Sequence, residues 1–348
     1  MKSESENNDK RKQEFIVHSI LFAVIMLLTL HMVFHGRDMG QIWISVKSMS
    51  GASLMAAVLL ALVFTAVEGF IIWYLLREMG GHTGLLRCIG YAFVGFFFSG
   101  ITPSATGGQP MQLYYMKKDG NRLADSSVAL LTVAVVYKLV LVMMGLMAVL
   151  FWNMQLKQQL KGYYYLFLLG MALNTGLVMI LLMFMLTPGL TRGALMKMEV
   201  VLTRIHILKK SETRRERIDR SLMRYQSMVH FLFLHKGLLV RVLLITTFQR
   251  CCVFLLPGIV YRGLGLSSVS VLAIACLQMS IYIAVDMLPL PGAQGITEAM
   301  YRVVFAGVFT GNTLLASLCV SRGVSFYLLM AVGLVVSYVA QKKPHGAV

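Results

Sequence analysis

Six stretches of this chain, 15–34, 52–76, 124–152, 163–186, 236–257 and 311–340, are apolar over lengths close to or above the roughly 20 residues a helix needs to cross about 30 Å of hydrocarbon. Inside a bilayer every backbone amide must find its partner within the protein, which leaves helices as the spanning element for segments of this kind. Hydrophobic residues make up 57% of the chain and charged residues 14%, more apolar matter than a water-soluble domain can cover with polar surface. The expected fold class is an all-α polytopic membrane protein with about six to eight transmembrane helices. The first run, Phe15 to Phe34, follows a charged tail (1–14) and has no small-residue cleavage site after it, so it is expected as a retained span.

Two further apolar stretches end differently. Residues 86–101 run into TPSATGGQP (Thr102 to Pro110), and 268–287 run into LPLPGAQGIT (Leu288 to Thr297), where proline and glycine break a helix before a short helical stretch resumes. Irregular backbone at membrane depth survives only where protein buries it or where it lines a wet cavity. Both breaks are therefore expected as re-entrant broken-helix hairpins among six crossings. The other reading, ordinary turns between complete spans, raises the number of spans to eight.

Charge placement supports six crossings. Lys2, Lys10, Arg11, Lys12, Arg77, Arg87, Lys117, Lys118, Arg122, the basic residues of 188–235 and Lys342 and Lys343 fall on one side. Arg37, Lys47, Lys157, Lys161 and Arg262 fall on the other. By the positive-inside rule both termini are cytoplasmic, as in a multi-pass protein of the cell membrane. The net charge of +17 thus reports orientation and implies no nucleic-acid partner. Within 190–230, Leu195, Met198, Leu202 and Ile205, then Ile218, Leu222, Tyr225 and Val229, recur at helical spacing. Two readings stand for this basic amphipathic segment: a hairpin bound to lipid headgroups, or a solvated linker.

The two breaks belong to an internal repeat. GGQP (Gly107 to Pro110) and GAQG (Gly292 to Gly295) each follow an apolar half-helix and precede a long apolar helix with one cation, Lys138 or Arg322. The spacing is 29 residues from Gln109 to Lys138 and 28 from Gln294 to Arg322. Repeat one spans about 52–152 and repeat two about 236–340, both inside a transmembrane domain of 15–340. In the topology above they enter the membrane from opposite sides, an inverted repeat of the kind that builds midplane sites in transporters.

A lone charge at a helix centre is costly and calls for pairing or water. The intramembrane set is Glu68, Lys138, Arg241, Arg250, Asp286, Glu298, Arg302 and Arg322, of which Arg241 and Arg302 lie near span ends and are expected to snorkel. Two readings stand for the deeper charges: ion pairs that fix packing, or a polar cavity for an anionic group. For the second, Pro110 suits a first helical turn and Thr297 an N-cap before Glu298, so two helix N-termini face the breaks. The expected substrate-binding residues are Ser104, Thr106, Gly107, Gly108, Gln109, Lys138, Gln294, Glu298 and Arg322, with Glu68, Arg250 and Asp286 as supporting charges. The five cysteines all lie in or beside apolar runs without metal-ligand spacing, and no metal or cofactor is expected.

At these residues the chain resembles the transmembrane region of the lysylphosphatidylglycerol synthase/flippase family. The resemblance rests on the Pro-x-x-x-Gly-Gly motif in TPSATGGQPMQLYYMKKDG, the downstream basic position, the Pro-Gly-x-x-Gly-x-x-Glu motif in PGAQGITE ending at Glu298, and Arg322. It covers most of the chain and implies translocation of anionic or aminoacylated phosphatidylglycerol between leaflets. In that family a separate soluble domain attaches the amino acid. The chain departs from the pattern in two ways: it ends at Val348 just after its last span, and it has Tyr137–Lys138 where the family is expected to carry a Glu-Arg pair.

The leading expectation is a non-enzymatic flippase or transporter for a phospholipid or polyprenyl-linked lipid, with an anionic or aminoacylated phospholipid as the expected substrate and a separate lipid-modifying enzyme as a partner. The alternatives are a membrane-embedded transferase of the phosphatidylglycerol lysyltransferase type, and an accessory subunit that docks through 190–235. The sequence holds no DxD pair, Walker A loop, HExxH or GxSxG motif, and Glu68, Asp286 and Glu298 are too scattered to nominate a nucleophile.

Overall fold

The computed structural model of the chain describes residues 39–187, 189–193, 196–197 and 212–342. The expected first span at 15–34, the apolar positions Leu195, Met198, Leu202 and Ile205, and Lys343 lie outside the described residues. The described chain is all helical, and Leu59, Met147, Leu150, Phe151, Met179, Phe248 and Val335 are among many large apolar side chains left exposed. In water such a surface is a liability; in a bilayer it is the lipid contact. Among the described residues, four continuous helical stretches are long and apolar enough to cross, at 51–78, 123–186, 236–263 and 312–341. The 64-residue stretch is itself folded back at Lys161–Tyr163: Gly145 packs on Met171, and the Tyr164 hydroxyl donates to Asn153 Oδ1 at 2.6 Å. The protein is a multi-pass membrane protein.

The repeat is visible in the order of elements. After a first surface helix, α1 (Met39–Lys47), each unit opens with a 28-residue helix, α2 (Gly51–Glu78) or α8 (Lys236–Gly263). A short apolar helix follows, α3 (Leu85–Ile101) or α9 (Val271–Val285), of 17 and 15 residues. Both fall short of a full crossing. Next comes one turn of 3₁₀ helix, Pro103–Ala105 or Pro291–Ala293, and a second short helix, α4 (Gly108–Lys118) or α10 (Ile296–Val304). The units close with α5 (Leu123–Leu160), and with α11 (Asn312–Arg322) continued through a π-helical segment, Gly323–Leu328, into α12 (Leu329–Lys342). Between the units lie α6 (Tyr164–Leu186) and α7 (Glu212–Leu234).

Both breaks have one local cause. Proline's ring disfavours the helical conformation for the residue before it, and Thr102 (ψ 145°) and Leu290 (ψ 135°) are accordingly extended; the first ends α3, and the second follows a short turn after α9 has ended at Val285. At matching places Ala105 (φ 55°) and Ala293 (φ 48°) are then forced into the left-handed region. Two alanines strained alike in two separate breaks mark these turns as copies of one device.

The copies are inverted. Helix α2 packs along α8 with the two chains running in opposite directions: Ser50 N–H donates to Gly263 O at one end, the Gln249 amide to Phe64 O in the middle, and Arg241 to the Tyr74 hydroxyl at the other end. Each half-helix then packs on the closing helix of the other unit, α3 on α12 and α9 on α5, and the two 3₁₀ turns touch. Small residues allow this closeness. A Cβ on Gly333 would meet Phe93 O at 2.7 Å, and one on Gly170 of α6 would meet Ile283 O of α9 at 2.2 Å.

Helix α7 uses its apolar stripe on the protein itself. Leu222, Tyr225, Val229 and Leu232 are buried against the bundle, and Arg224 makes a two-pronged bond to Asp125 near the start of α5, at 2.7 and 2.8 Å. For this described half of the basic segment, the packing differs from a free solvated linker.

Candidate functional site

The deep charges collect at the junction between the two breaks. Lys138, midway along α5, pairs with Asp286 at the C-terminal end of α9 and also reaches the Met287 sulfur. Its neighbour Tyr137 donates a hydroxyl hydrogen bond of 2.5 Å to the other oxygen of the same carboxylate. The Tyr137 ring lies 4.0 Å from the Arg250 guanidinium, whose other aromatic neighbour is Phe64 at 4.7 Å. Arg250 acts on Glu68 through its charge, without a salt bridge between them, and Glu68 accepts a 3.0 Å bond from the Gln112 amide of α4.

The second break carries the third pair. Arg322 Nε donates to Glu298 Oε1 at 2.7 Å, and a terminal guanidinium nitrogen reaches Gly292 O at 3.3 Å. The other Glu298 oxygen accepts from Gly295 N–H at 2.7 Å, so the carboxylate caps α10. Thr297 is therefore not the N-cap; its hydroxyl donates back to Ala293 O, and Gly295, at φ 81°, takes the cap position. Tyr282 of α9 joins the groups, close enough to Arg322, Arg250 and Asp286 to interact with all three. The result is three acids and three bases close together: Asp286 and Lys138, and Glu298 and Arg322, form ion pairs, while Glu68 and Arg250 interact through charge without a salt bridge.

Pairing consumes most, not all, of the bonding capacity. Arg250 is 6% exposed and Gln294 4% exposed, yet Arg250 Nε and both amide atoms of Gln294 make no hydrogen bond among the described residues. A buried polar atom without a partner costs about 1–3 kcal/mol. Native proteins retain such atoms rarely, and often where a ligand or water completes them.

The other expected residues divide by role. Gly107 donates its N–H to Thr102 Oγ1, and Thr106 donates to Pro103 O, both holding the first break. A Cβ on Gly108 would lie 2.0 Å from Ser99 Oγ and 2.7 Å from Gly95 O, so this glycine is what lets α4 fold back on α3. Gln109 is exposed, and the backbone of Ser104 forms the 3₁₀ turn. Lys138 and Arg322 are both in ion pairs, of the two arrangements the sequence left open. Gln112, Gln249 and Tyr282 join them without having stood out in the sequence, and Tyr137, marked there only as a departure from the family pattern, grips Asp286. The signal for Gln112 was present, since Gly95 leaves space for its amide: a Cβ there would sit 2.2 Å from Gln112 Nε2.

A family model described as the lysylphosphatidylglycerol synthase TM region matches residues 15–333. No curated protein matches the chain.

Proposed function

The chain belongs to the lysylphosphatidylglycerol synthase transmembrane-region family, and on that footing we propose that it passes an anionic or aminoacylated phospholipid headgroup between leaflets, past the junction of its two broken hairpins. One observation carries the proposal. A set of three acids and three bases, with Arg250 Nε and the Gln294 amide still unbonded, sits where two inverted half-helices meet. An aminoacylated headgroup carries an ammonium and a phosphate, and a cluster of both signs provides partners for each.

Stripping a buried ion pair leaves a lone charge that costs several kcal/mol, so headgroup entry proceeds by exchange. The phosphate takes up Arg250 and the neighbouring cations as the ammonium takes up the carboxylates. The acyl chains gain little on leaving lipid for protein, so charge sets selectivity. The Lys138–Asp286 pair ties one repeat to the other and must open if the repeats rock. The short half-helices enter from opposite faces in six crossings, the termini are cytoplasmic, and a separate enzyme of the membrane modifies the lipid.

Reconstituted vesicles test this. Protein-containing vesicles should equilibrate a fluorescent phosphatidylglycerol between leaflets faster than protein-free vesicles. Equal rates with and without protein would contradict the reading.

A further inference from the structure

Helices α10 and α11 run antiparallel, stitched by the Tyr301 hydroxyl to Ser317 and Ser321 at 3.2 and 3.4 Å. At their inner end stands the Glu298–Arg322 pair. At the other end, between the C-terminal half of α10 and the start of α11, lies a half-open depression of about 550 Å³ that the central cluster does not account for. Lys161 and Arg302 line it, with Tyr163, Val303, Leu314 and Leu315 among its other walls, and none of its lining residues is acidic.

Neither cation is in an ion pair among the described residues. Lys161 is also held in an unusual backbone conformation, φ 50° and ψ −127°, at the turn between α5 and α6. A lysine at such a position carries a conformational cost that glycine would avoid. The same turn places it beside α10. Arg302 is one helical turn beyond Glu298, so the two lie along one face of α10, Glu298 at the buried pair and Arg302 at the depression.

Two unneutralised cations on an apolar-walled, half-open cavity fit a phosphate attached to something greasy. A free anion has no use for leucine walls, and an acyl chain has none for a lysine and an arginine. We propose that this depression is a binding site for the phosphate of a membrane lipid, seated between Lys161 and Arg302 with its glycerol and upper acyl carbons on Val303, Leu314 and Leu315. It rests on the lipid-moving reading only in its consequence: a lipid held here stands one helical turn from the Glu298–Arg322 pair, as the waiting position for the central cluster.

Binding is tested apart from transport, by photo-crosslinking of the purified full chain in detergent with a phosphatidylglycerol bearing a diazirine on its headgroup. Crosslinks mapped by mass spectrometry should concentrate on 161–163 and 299–306. They should fall at least about fivefold in the Lys161→Gln/Arg302→Gln variant, since a charge-assisted bond to phosphate is worth roughly a factor of ten or more. The Lys161→Arg/Arg302→Lys variant should retain them, which separates loss of charge from loss of fold. Unlabelled dioctanoyl phosphatidylglycerol should displace the probe, whereas dioctanoylglycerol should not. Crosslinks that avoid these segments, or that persist in the double glutamine variant, overturn the site. Displacement by inorganic phosphate as effective as by the lipid assigns the cavity to a free anion and overturns the lipid assignment. A parent protein that crosslinks here yet moves no lipid in vesicles leaves this site standing and removes the transport reading alone.

Discussion

Lys138 and Asp286 form an ion pair across 148 residues of chain, joining the closing helix of the first repeat to the half-helix of the second. A family-type Glu-Arg pair at 137–138 would bring its own acid. Here Tyr137 and Lys138 instead grip both oxygens of an acid supplied by the other repeat.

That pair predicts a non-additive mutant cycle. Lys138→Gln or Asp286→Asn alone leaves a buried charge, with side chains only 12% and 13% exposed, and should cost up to about 3–5 kcal/mol. The double variant should recover most of that loss. Thermal unfolding in detergent checks it; a double variant whose loss equals the sum of the two single losses would show that the residues do not act as a pair.

The first hairpin predicts a contrast between two glycines. Gly108→Ala drives a methyl group into Gly95 O and Ser99, and should cost roughly 1–3 kcal/mol. Gly176→Ala, in α6 with nothing within 4 Å, should be neutral or stabilising by up to about 1 kcal/mol. The two melting temperatures decide.

How far sequence reaches is clear from these residues. Pro103 and Pro291 disclose both breaks because proline acts on its immediate neighbour, and the apolar runs disclose the long helices. The final run at 311–340 becomes α11, a π segment and α12, since nothing local marks a π-helix. Helix α5 continues to Leu160, well past the end of the apolar run, with its kink at Trp152. The cluster's membership was legible as a set of intramembrane charges. Its pairing was not, because Lys138 finds Asp286 and Gln112 finds Glu68 only once inverted halves interlock.

Helix α7 should be held more by its buried apolar stripe than by the Arg224–Asp125 pair. Arg224 is 35% exposed, so its pair with Asp125 is worth about 0.5–1 kcal/mol after screening by water and salt. Arg224→Gln should leave the bundle's melting temperature nearly unchanged while raising amide exchange within 212–234. Unchanged exchange would show that burial of Leu222, Tyr225, Val229 and Leu232 suffices.

Topology is checked through Lys118, whose ammonium bonds to Ala340 O and Gln341 O at the end of α12. Residues 118 and 341 thus share one face, and Lys161, at the far end of the 38-residue α5, belongs to the other. A cysteine placed at 118 should react with impermeant reagent only after the cytoplasmic side is exposed, and one at 161 from outside. Labelling of 118 from outside contradicts cytoplasmic termini.

The most direct test of the central claim is the rate at which reconstituted protein moves fluorescent phosphatidylglycerol when paired charges are removed together. Glu68→Gln/Arg250→Gln and Lys138→Gln/Asp286→Asn each delete one acid and one base, leaving no lone buried charge. If the cluster is the headgroup path, both variants should insert and melt near the parent yet move lipid at least about tenfold more slowly, the loss of roughly 1.4 kcal/mol of barrier stabilisation. Variants that fold and move lipid at the parent's rate would make the cluster a packing device and contradict the account.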